Sequence, residues 1–124
     1  MNSLAIDYGT KRIGLAYSVN NIIFTLPMQK NDKNIFKNLT QIISEYQIKK
    51  IYIGLSYGKM AQMTQKFASD LSFMIKLPIE TVEETASTIE ADKLFLQNKN
   101  NNKNYQKQID SMAAAIILNR VINY

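Results

Sequence analysis

The 124-residue chain contains no histidine, no cysteine and no tryptophan. Those absences exclude the serine–histidine triad, a cysteine nucleophile, the usual histidine/cysteine zinc site and any disulfide framework. Carboxylate and carbonyl oxygens remain as metal ligands, a donor set that favours hard ions such as Mg²⁺ or Mn²⁺. Proton transfer would have to run through Asp, Glu, Lys, Tyr or water. Long apolar runs are missing too. None approaches the ~20 residues of a membrane span, and the N-terminus enters a strand-like segment without a basic-then-apolar leader, so a cytoplasmic protein with no membrane partner is expected.

A chain of this length is expected to form one domain, residues 1–124, and to bury roughly two-thirds of the surface it exposes when unfolded. Fifteen Lys and Arg against ten Asp and Glu give a net charge of +5, with a pI near 9.4. That balance favours a polyanionic partner, nucleic acid first among them.

Hydrophobic periodicity predicts strands at residues 4–8, 13–18 and 22–28, the last ending around Pro27, with spacers short enough to make them antiparallel neighbours. Residues 34–46 switch to helical period, with Ile35, Leu39, Ile42, Ile43 and Tyr46 on one stripe. A buried strand at 51–54 follows. The loop Ser56-Tyr57-Gly58 then leads into a helix over 60–76 with Phe67, Leu71, Met74 and Ile75 inward. A short strand at 79–83 precedes a helix at 87–97, a polar tract at 98–104 that reads as a solvated connector, and a final helix at 107–122. The order βββαβαβα predicts an α/β fold, a five-stranded mixed sheet with helices on both faces.

The most informative segment is Asp7-Tyr8-Gly9-Thr10-Lys11-Arg12-Ile13-Gly14. It places a carboxylate at the end of a buried strand, then a tight turn with a hydroxyl and two cations, a combination suited to phosphate or a metal ion. A four-residue loop at 9–12 would set Asp7 opposite Gly14 and Ala5 opposite Ala16 on one face, with Ile6 opposite Leu15 on the other. The last helix carries a matching stripe of Asp110, Ala113, Ala114 and Ile117. Small residues on both surfaces permit close approach, which would bring Asp110 near Asp7. Glu83 and Glu84 lie at the C-terminal end of the last strand, where ligands sit in open α/β sheets, and alternation lets only one of them join Asp7. Each carboxylate alone has an ordinary role available: a turn-forming Asp, a helix N-terminal Asp, a solvated strand end. Clustered, they repel and call for a cation.

Asp7-Tyr8-Gly9-Thr10-Lys11-Arg12-Ile13-Gly14-Leu15-Ala16, Gly54-Leu55, Glu83-Glu84-Thr85-Ala86-Ser87-Thr88 and Lys107-Gln108-Ile109-Asp110-Ser111-Met112-Ala113-Ala114 resemble, in order and spacing, the YqgF family. Its members are Holliday-junction-resolvase-like proteins of ribonuclease H fold, implicated as nucleases in maturing the 5′ end of pre-16S ribosomal RNA. The resemblance implies metal ligation and catalysis by Asp7, Glu84 and Asp110, and so selects Glu84 over Glu83. Two positions depart from the family pattern. Thr85 stands where the family usually has Arg, which removes a cation from the site, and Ser56 stands where it usually has Pro.

The implied chemistry is hydrolysis of a phosphodiester by one or two Mg²⁺ or Mn²⁺ ions. Lys11 and Arg12 would contact the scissile or adjacent phosphate, Thr10 would orient the turn, and Lys59 and Lys107 would meet the flanking backbone. Tyr8 and Tyr57 are either base-stacking residues or buried and rim aromatics. Substrates in view are pre-16S rRNA and branched DNA, cut by a monomer or, on a junction, by a homodimer. The alternatives are a nucleic-acid-binding ribosome-maturation module whose cleavage is weakened by Thr85, and the sugar-kinase and actin-like ATPases, which share the Asp-x-Gly-Thr hairpin but clamp nucleotide between two such domains.

Overall fold

The computed structural model describes residues 1–83 and 105–123, with side chains for 1–83 and 111–123. The helix expected at 87–97 and the tract at 98–104 lie outside the described residues. Five strands, β1 (Ser3–Asp7), β2 (Arg12–Val19), β3 (Ile22–Lys30), β4 (Lys50–Leu55) and β5 (Ile79–Glu83), form one sheet in the order β3-β2-β1-β4-β5. The described helices are α1 (Ile35–Glu45), α2 (Gly58–Met74) and α3 (Tyr105–Asn123). β1 is antiparallel to β2 and parallel to β4, and β4 is parallel to β5. The β2–β3 hairpin closes through Asn20 and Asn21 at φ of 53° and 64°, the paired left-handed residues of a tight turn that matches strand twist.

Alternation along the strands divides the sheet into two unlike faces. Leu4, Ile6, Ile13, Leu15, Ile51 and Ile53 point one way and pack with Leu39 of α1 and with Phe67 and Leu71 of α2. Ala5 and Ala16 point the other way and pack with Ala114, Ile117 and Leu118 of α3. Helices therefore cover both faces, as expected. α3 is anchored at each flank of the sheet: Ser111 Oγ donates to the Leu26 carbonyl at 2.6 Å, and Arg120 Nη1 donates to the Glu83 carbonyl. On β4 and β5, Lys50 Nζ meets Glu80 Oε2 at 3.0 Å, and that hydrogen bond holds the Lys50 ammonium above its ordinary pKa.

Two expectations need correction. β3 does not stop at Pro27 but runs on to Lys30. It is an edge strand with a one-residue bulge at that point, and there a proline's missing N–H removes no ladder bond. Met74 is not inward but 61% exposed. α2 ends at Met74, and Ile75, in an extended conformation (φ −126°, ψ 124°), enters the core instead.

The Ser111–Leu26 bond is buried and joins segments 85 residues apart. Ser111→Ala leaves the Leu26 carbonyl without that donor, and the expected cost is about 1–3 kcal/mol. Urea unfolding of the two proteins measures it.

Candidate active site

β1 has an antiparallel neighbour on one side and a parallel neighbour on the other, so chain connections diverge at its C-terminal end. Crevices that bind ligands form at such points in open α/β sheets. The register Ile6↔Ile53 and Ile53↔Thr81 brings the ends of β1, β4 and β5 to one edge, and the turn that opens β2 lies there too.

Asp7 is the last residue of β1, half-buried, and pairs in register with Gly14. Its face is the alanine face, with Ala5↔Ala16 two residues behind it. Gly14 adds no side chain in front of the carboxylate. Both pairings are those expected from the sequence. Ala114 packs on this face from α3, and Asp110 is carried by the same helix one turn before it. On β5, Val82 packs on the α3 face while Ile79 packs on the opposite one. Strand parity therefore puts Glu83 on the face away from Asp7. Glu84 and the side chains of Asp110 and Lys107 lie outside the described residues. Among the described residues no three carboxylates come together.

The turn between β1 and β2 is held rigidly. A Cβ at Gly9 would collide with the Arg12 carbonyl oxygen, so the backbone closes only with glycine there. Asn31, just past β3, donates its side-chain Nδ2 to the Gly9 carbonyl at 2.8 Å and its backbone N–H to the Lys11 carbonyl at 2.9 Å. Thr10, Lys11 and Arg12 are all exposed on this clamped loop. Sequence reading missed Asn31, since its contacts lie across two strands and no local pattern marks it.

Lys59 is exposed in the first turn of α2, on the connection that leaves β4 at the same edge. Tyr8 is half-buried against the core, with its ring 4.9 Å from that of Phe67, which in turn lies 5.4 Å from Phe36. Tyr57, by contrast, is 74% exposed on the loop before α2.

Comparison with known proteins places this geometry in context. A sequence profile for a family described as RuvX, Holliday junction resolvase, matches residues 1–124. A protein of Sulfurihydrogenibium sp. (strain YO3AOP1) named "Putative pre-16S rRNA nuclease" is 35% identical over 93% of this chain and 85% of its own. One of the same name from Maridesulfovibrio salexigens is 34% identical over 95% of each. Among solved structures, T. thermophilus RuvC in complex with Holliday junction substrate superposes with a TM-score of 0.65 at 12% identity, covering 99% of this chain and 96% of that one. The fowlpox virus resolvase with its Holliday junction DNA gives 0.59 at 13% identity, covering 98% and 97%. At those identities the likeness is one of fold, and the fold is ribonuclease H-like.

Gly9→Ala is expected to destabilise by roughly 1–3 kcal/mol, because the added methyl group must push the turn off the Arg12 carbonyl. Lys11→Ala, on the same loop but exposed, should stay within about 0.5 kcal/mol of wild type. Thermal melts of the two variants separate these outcomes.

Proposed function

The chain belongs to the RuvX (YqgF) family of Holliday junction resolvase-like nucleases, and on that premise we propose that it hydrolyses phosphodiesters in the 5′-end processing of pre-16S rRNA, in the cytoplasm, with Mg²⁺ or Mn²⁺ as cofactor. One observation carries the reading: Asp7 ends the switch-point strand on the alanine face, opposite Gly14, beside a clamped turn that exposes Lys11 and Arg12.

The donor set fits a hard divalent ion, because every candidate ligand is a carboxylate. Asp7, Glu84 and Asp110 would hold it. Parity supports Glu84 over Glu83, since Val82 marks the even-numbered positions of β5 as those of the Asp7 face. A bound ion supplies positive charge to the phosphate oxygens and lowers the pKa of the attacking water. The protein's own residues position the substrate. Lys11 and Arg12 neutralise the scissile or adjacent phosphate, Thr10 shapes the turn that presents them, and Lys59 and Lys107 meet the flanking backbone. Thr85, in place of the family's Arg, leaves that work to the turn. The family's description and the solved resolvase structures give branched DNA as the second candidate substrate.

Cleavage of precursor rRNA and of a four-way DNA junction, assayed side by side with Mn²⁺, tests the reading. Cleavage of the RNA is expected. Salt-dependent binding of both without cleavage would establish a binding module instead. Asp7→Asn, Glu84→Gln and Asp110→Asn should each fold normally and lose activity; a variant retaining more than about a tenth of wild-type turnover, a barrier change under 1.4 kcal/mol, is not catalytic.

The site can also be tested without substrate. Mn²⁺ at a hundredfold excess over its dissociation constant should stabilise wild type by about 2.7 kcal/mol through mass action and leave Asp7→Asn nearly unmoved. Calorimetric melts with and without chelator read both. Wild type unmoved at millimolar Mn²⁺ would rule out the metal cage.

A further inference from the structure

The pairing of β2 with β3 shifts by one residue near the site. Leu15 pairs with Leu26, yet Ile13 pairs with Gln29, so Gly14 alone stands opposite Pro27 and Met28. A one-residue shift exchanges the faces to which the following side chains point. Before the bulge, Leu26 lies in the core under α1 and α2. In a regular strand Lys30 would share that face with Leu26. The bulge instead sets Lys30 opposite Arg12, on the face that carries Asp7. Arg12 itself is two residues, about 7 Å of strand, from Gly14, the partner of Asp7.

Beyond Lys30 the chain turns a corner that is tied to the site. Asn31 bonds the turn at Gly9 and Lys11, and α1 begins four residues later. Lys33 and Lys37 are exposed there, on the corner and in the first turn of the helix. From residue 8 to 44 the sequence has five cations, Lys11, Arg12, Lys30, Lys33 and Lys37, and one carboxylate, Asp32. Asp32 is engaged locally: its Oδ1 accepts the Asn34 N–H at 2.9 Å and its carbonyl accepts the Ile35 N–H at 3.1 Å, starting α1. The aromatic residues of this corner, Tyr8 and Phe36, are packed through Phe67 and offer no stacking platform.

We propose that Lys30, Lys33 and Lys37 extend the Lys11–Arg12 turn into a ridge that holds the phosphate backbone of the nucleic acid on the β3 side of the site. The proposal rests on the nuclease reading and adds the path of the substrate. Cations without exposed aromatics read backbone and not bases, so this contact is independent of base sequence.

The test is fluorescence anisotropy in chelator, with a four-way DNA junction and a double-stranded RNA of the same arm length as probes. The variant Lys30→Gln/Lys33→Gln/Lys37→Gln should bind both at least tenfold more weakly at 0.1 M salt. Its log Kd against log salt slope should fall by about two, at roughly 0.7–0.9 per phosphate contact removed. Lys66→Gln/Lys76→Gln, on α2 and just beyond its end, serves as the charge control and should stay within about twofold of wild type. A charge-neutral exchange, Gln29→Lys/Lys30→Gln, moves one cation to the other face and should bind as weakly as Lys30→Gln alone. Circular dichroism verifies that each variant folds. If wild type binds with a steep salt dependence but the triple variant behaves like the control, or the exchange recovers full affinity, the ridge is wrong and the nuclease reading stands. If wild type binds neither probe at low salt, both fall.

Discussion

The close approach of α3 to the sheet is the constraint on which the rest of the site depends. Ala5 and Ala16 face each other on β1 and β2, and Ala114 comes down on them from the helix. Larger side chains at any of the three would lift the helix, and with it the backbone that carries Asp110, away from the strand that ends in Asp7. Tight packing transmits such changes instead of absorbing them. The same smallness continues to Gly14, which leaves room for a carboxylate at the strand's end.

The opposite face solves a different problem. Large aliphatic side chains there bury the apolar area that holds the sheet to α1 and α2. Tyr8, the residue after Asp7, is drawn into that core through Phe67 and Phe36. The backbone bearing the candidate ligand is thus held from behind by an aromatic stack, while its front is left to small residues and charge. Asn31 fixes the adjoining turn from the side. The large aliphatic core and the candidate site occupy different faces of one sheet, and the alternation of a single strand, Leu4, Ala5, Ile6, Asp7, serves both.

Much of this was legible in the sequence. A loop of four residues fixes hairpin parity, so the pairing of Asp7 with Gly14 follows from counting, and the stripe ending in Ala114 and Ile117 follows from helical period. What escaped was information held between segments. The exit of Pro27 from the ladder reads locally as the end of a strand, whereas on an edge strand a bulge absorbs it and pairing resumes. Met74 falls on the inward stripe by period, but the helix stops there, and the following residue fills the core from extended backbone. Asn31 makes its two bonds to residues 22 and 20 positions away, beyond any local pattern. Periodicity left Glu83 and Glu84 open and the family resemblance chose Glu84; the structure adds that Val82, on the α3 face, turns Glu83 to the other one.

The two bonds that fasten α3 also bear on the order in which the molecule comes together. Ser111 reaches back 85 residues to Leu26, and Arg120 reaches 37 to Glu83. The hairpins of β1, β2 and β3 and the packing of α1 draw on neighbours in sequence, whereas docking α3 closes one of the longest loops in the chain, and such contacts form late in folding. A nascent or partly folded chain thus displays Asp7 and its basic turn before the helix bearing Asp110 is in place. The alanine face is thus the last to be covered, once the sheet beneath it is finished.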